Sequence, residues 1–60
     1  MHSINDFSVG YVVRLYGSEC LMTVKNVNTN EDIVTCQWFD TDDHLHEAEF
    51  ITSVLTIVRR

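Results

Sequence analysis

The sequence predicts an all-β fold: a small antiparallel barrel of five short strands, with residues 1–60 as a single domain. Three observations carry this expectation. Apolar and β-branched residues alternate or cluster in short runs, with little helical spacing between them. Three clusters of turn-forming residues separate the runs. The chain has only 60 residues, and a flat five-stranded sheet of that size would leave one face wet and two edges open, so curling is the economical way to share a core.

The first run is Val9 to Tyr16. Val13 and Leu15 fall on one face, and Val12, Arg14 and Tyr16 on the other. Gly17 and Ser18 then read as a turn. The second run, Cys20 to Val27, sets Met22 and Val24 against Thr23 and Lys25. Asn28 to Asp32 forms a hairpin loop, because Asn and Asp tolerate left-handed backbone angles and bond their own main chain.

The third run is Ile33 to Phe39. Val34, Cys36 and Trp38 line one face; Thr35, Gln37 and Phe39 line the other. Asp40 to Asp43 is the second hairpin loop. The fourth run is His44 to Phe50, where the odd step from Leu45 to Ala48 predicts a bulge or register change near Glu47. Phe50 to Ser53 reads as one helical turn or a tight bend, and Val54 to Val58 closes the domain. The expected core is Val13, Leu15, Met22, Val24, Val34, Cys36, Trp38, Leu45, Phe50, Leu55 and Ile57. Burial of the Trp38 ring is worth about 2–3 kcal/mol. The competing architecture is a flatter meander covered by a second copy of the chain.

The segments GYVVRL, LMTVKNV, VTCQWFD and EAEF resemble the YodC-like family of small bacterial proteins. Met-Thr-Val followed by Cys-x-Trp-Phe, in order and at matching spacing, is the more specific part. The resemblance runs from about Phe7 to about Leu55 and implies an SH3-like barrel. It brings no established catalytic or binding residues. The chain departs from the family pattern at three places. Tyr11 stands where Asp is usual, Gly17-Ser18-Glu19-Cys20 replaces a Ser-Gly-Gly-Pro turn, and Ile51 and Thr52 stand where prolines are common.

Composition narrows function by exclusion. Nine acidic and four basic side chains give a net charge of −5, which repels phosphate backbones and argues against direct nucleic-acid binding. A positively charged protein surface suits it better. The opening MHSINDF is not a secretory signal, and no apolar run is long enough to span a bilayer, so no membrane association and a cytoplasmic location are expected. There Cys20 and Cys36 would be reduced thiols. No nucleophile–base pair, phosphate loop or cofactor fingerprint is present, so neither enzyme activity nor a cofactor is expected.

Among candidate sites, Cys36 shares a face with Val34 and Trp38 and reads as an inert core thiol. Cys20, Cys36, His44 and His46 lack zinc-finger or ribbon spacing, and the Asp40–Asp43 loop lacks the glycine and terminal glutamate of a calcium loop, so no metal site is assigned. The remaining signal is an acidic, aromatic-bearing face made of Tyr11, Tyr16, Phe39, Asp40, Asp42 and Asp43. Flat rings give contact area at low entropic cost. The expectation is a non-enzymatic module that docks on a protein partner, with homodimerisation through an open strand edge also allowed. The alternatives are a phage or mobile-element inhibitor that mimics nucleic acid, and a small metal- or ligand-binding protein.

Overall fold

In the computed structural model, which describes residues 3–60, the chain is all-β. β1 is Val12–Leu15, β2 Met22–Asn28, β3 Ile33–Phe39, β4 Leu45–Ile51 and β5 Leu55–Arg59. They form one five-stranded antiparallel sheet in the order β4-β3-β2-β1-β5. Of two single 3₁₀ turns, Ile4–Asp6 precedes β1 and Thr52–Val54 links β4 to β5. No helix among the described residues is long and apolar enough to cross a membrane.

The sheet has to curl. β4 and β5 are its two edges, separated by four strand spacings, or roughly 19 Å if the sheet were flat. Yet the Thr52–Val54 turn alone joins Ile51 to Leu55, and a 3₁₀ turn of that length advances only about 8 Å. The end of β4 must therefore swing round towards the start of β5, a curl compatible with an SH3-like barrel. Local irregularities help: the register shifts between Val24 and Asn26 on β2, and between Val12 and Val13 on β1, and such bulges bend and twist a strand. The bulge expected near Glu47 is absent. β3 and β4 pair without interruption from Ile33↔Ile51 to Phe39↔Leu45, and the odd step from Leu45 to Ala48 arises because Leu45 lies on the outer face.

One core fills the curl. Val13, Met22, Val24, Val34, Cys36 and Leu55 are buried in it, with Leu15, Trp38, Phe50 and Ile57 packed around them. Two corrections to the expected core follow. Leu45 sits opposite the outward Phe39 and is 55% exposed. Trp38 is half-buried at the rim rather than enclosed. The structure also adds Phe7, which is buried although it belongs to no strand. The 3₁₀ turn before it starts at Ser3, whose side chain and that of Asp6 form a reciprocal capping box, with Ser3 N–H donating to Asp6 Oδ2 over 3.0 Å. This turn delivers Ile4 and Phe7 onto the core.

Candidate functional site

The β3–β4 hairpin is organised by one carboxylate. Asp40 Oδ1 accepts the backbone N–H of Asp42 at 2.8 Å and of His44 at 2.9 Å, and the Asp40 carbonyl accepts Asp43 N–H. Its Oδ2 lies 2.8 Å from His46 Nε2 and 3.6 Å from His44 Nδ1. Asp43 takes φ 62°, a left-handed angle that Asp tolerates better than most residues. The His46 contact, then the His44 N–H, hold the Asp40 carboxyl below its ordinary value. Asp40 is thus committed to the turn, while Asp42 and Asp43 stay exposed.

The predicted aromatic face divides. Phe39 stands outward at the end of β3, 66% exposed, directly opposite Leu45. Tyr16 is exposed just beyond β1. Tyr11 does not join them. It lies before β1, where its carbonyl accepts Val24 N–H, packs against the core and has the Arg60 guanidinium 6.0 Å from its ring centroid. The β1–β2 and β3–β4 turns lie at the same ends of their antiparallel strands, so Tyr16, Phe39 and the acidic loop belong to turns on one side of the ladder. Leu21, also exposed, enters β2 two residues before Thr23, which pairs with Gln37. Leu21 and Leu45 join the predicted Phe39 in an exposed apolar surface; patterning alone missed these two, because their place beside Phe39 emerges only from cross-strand register.

Among the described residues, the cysteines and histidines do not assemble into one site. Cys36 is buried, and burial pushes its thiol up to about 11; Cys20 is exposed in the β1–β2 turn. Trp38 stacks on His46, with centroids 5.7 Å apart and planes 19° from parallel, and meets Phe50 at a tilt. Among the described residues, only Asp40, Asp42 and His44 bring three metal-ligating atoms within 4.8 Å of one another, and both Asp40 oxygens there already hold bonds within the hairpin. An open recess of about 470 Å³ lies at the β1–β2 turn, lined by Arg14, Gly17, Ser18, Glu19 and Leu21. There Arg14 Nη1 donates to the Ser18 carbonyl at 3.3 Å and bracing contact with Leu15 O is 3.5 Å. The chain matches no protein-family model, no curated protein and no solved structure.

Proposed function

We propose that the chain is a non-enzymatic interaction module that docks on another protein through the face around the β3–β4 hairpin. One observation carries this reading: Phe39 and Leu45, paired across two strands, both point outward beside the exposed carboxylates of Asp42 and Asp43. Large exposed apolar groups beside charge are the makeup of a contact surface. Phe39, Asp42 and Asp43 form this surface, and Tyr16 stands exposed in the turn on the same side of the ladder. Asp40 shapes the loop that presents it, and Tyr11 is occupied elsewhere.

The test is affinity capture with wild-type protein and with Phe39→Ser, Asp42→Lys and Asp43→Lys variants. The reading expects a partner that is retained by the wild type, weakened by salt and lost with these variants, but kept by Tyr11→Phe. A partner held equally by all of them rejects it.

The YodC-like assignment belongs with this proposal. It draws support from the four quoted segments and from a strand order consistent with an SH3-like barrel. A cytoplasmic location is proposed on the two free thiols. A second reading, a nucleic-acid mimic, draws on Glu47 and Glu49, which project from the outer face of β4; added DNA or RNA would then displace the captured partner.

A further inference from the structure

β4 is an unusual edge strand. It pairs with β3 along all seven of its residues, without a bulge, and no other strand among the described residues pairs with its far side. Of the usual guards of an exposed edge it has no proline, no lysine and no irregularity, only the charges of Glu47 and Glu49. The hydrogen bond from Asp40 N–H to the His44 carbonyl, at 3.0 Å, sets the phase of the ladder. In an antiparallel pair, bonded and non-bonded positions alternate. His46, Ala48 and Phe50 therefore turn their backbone groups to β3, and Leu45, Glu47, Glu49 and Ile51 turn theirs outward. The side chains of these four residues lie on the outer face, across from Phe39, Gln37, Thr35 and Ile33. The free edge thus reads apolar, acidic, acidic, apolar.

We propose that this edge accepts an extended segment of a basic partner as an added antiparallel strand, with two basic side chains opposite Glu47 and Glu49 and apolar ones opposite Leu45 and Ile51. The proposal deepens the interaction-module reading and rests on it. Charge decides the occupant. A second copy added antiparallel about a two-fold axis through Glu47, Ala48 or Glu49 sets glutamate against glutamate in every case, and like charges directly opposed across a ladder repel. A segment with the pattern apolar-x-basic-x-basic-x-apolar reverses the sign of those contacts and keeps the apolar flanks. Glu47 Oε1 already accepts from Lys25 Nζ at 2.6 Å from the β2 side, whereas Glu49 has no ion pair of this kind among the described residues. Glu49 is accordingly the stronger anchor. Main-chain bonding supplies affinity, and the alternate side chains supply choice of partner.

The probe is a blocked synthetic peptide, Ile-Thr-Lys-Thr-Lys-Thr-Val, titrated into the full chain, with amide-resolved hydrogen exchange as the structural readout. The expected result is binding that weakens with salt and new protection at the Glu47, Glu49 and Ile51 amides. Changing Glu47 and Glu49 together to Lys should lower affinity about ten-fold, and replacing both peptide lysines by Glu should restore it. The milder Glu47→Gln, Glu49→Gln pair should bind more weakly and with a shallower salt dependence. N-methylation of the peptide at its bonding positions should abolish binding. No binding, indifference to N-methylation, or sedimentation of the free chain as a dimer with β4 protected would overturn the proposal. Perturbation confined to Phe39 and the Asp40–Asp43 loop would also overturn it, while leaving the interaction-module reading standing.

Discussion

Trp38 and His46 stack face to face across the β3–β4 ladder, and Asp40 Oδ2 meets Nε2 of the same imidazole at 2.8 Å. Trp38 is the only tryptophan in the chain, so its emission reports on that stacked contact. His46→Ala removes the ring packed on the indole and should change the Trp38 emission of the folded protein, whereas His44→Ala, which alters a ring not stacked on Trp38, should leave it close to wild type. Equal changes in both variants would refute the stacking.

Asp40 makes the hairpin sensitive to acid. The His46 contact first, and the His44 N–H second, lower its pKa in the folded state below the ordinary 3.8. A depressed carboxyl pKa contributes stability that is fully present above the unfolded value and is lost as pH falls through the folded one. The stability difference between the wild type and Asp40→Asn should thus be constant above that range and shrink in acid. Urea midpoints measured over a pH series check this, and a difference that grows in acid would contradict it.

The two thiols should differ sharply in reactivity. Cys20 is exposed, and Cys36 is buried with its thiol pushed up to about 11. Because the thiolate is the reactive form, a thiol reagent should label one equivalent rapidly at neutral pH and the second only in denaturant. Cys20→Ser should remove the fast phase alone. Two equal rates in the native protein would mean that the core is open.

Leu55 and Leu45 give the clearest contrast in packing. Leu55 is fully buried and Leu45 is exposed. Leu55→Ala should cost about 2–5 kcal/mol through lost transfer energy and a residual cavity, enough to unfold much of so small a domain. Leu45→Ala should stay within about 0.5 kcal/mol of wild type. Denaturant unfolding decides it, and comparable losses would show that Leu45 belongs to the core after all.

Much of the fold was legible where local alternation and global burial agree. β3 was predicted with its observed bounds because Val34, Cys36 and Trp38 alternate with polar residues between two Asn/Asp-rich turns. β1 was predicted too long: β-branched residues continue through Val9, but at Gly10 the backbone takes φ 95° and the ladder starts only at Val12. Phe7 was missed because it sits in a polar stretch, and its burial depends on a 3₁₀ turn that docks it from outside the sheet. Leu45 was misplaced because hydrophobicity does not reveal which face of an edge strand looks outward; its pairing with Phe39 does.

The acidic loop was legible as a loop, since Asp and Asn announce one, but the division of labour inside it was not. That Asp40 binds the turn while Asp42 and Asp43 face solvent depends on backbone geometry four residues away. Tyr11 left the aromatic face for a similar reason, because Arg60 reaches its ring from the far end of the chain.

The β1–β5 ladder, with Val12 opposite Arg59 and Leu15 opposite Leu55, ties together the two ends of the described chain. The β3–β4 hairpin can zip from its own tight turn, but this ladder must wait for a long loop to close, and distant pairings form slowly. Until then Val13 and Cys36 have no lid, and a half-made molecule shows its sticky interior. The hazardous moment in this protein's life is accordingly the last step of folding, and changes that delay it should show up first as aggregation during refolding rather than as a lower melting point.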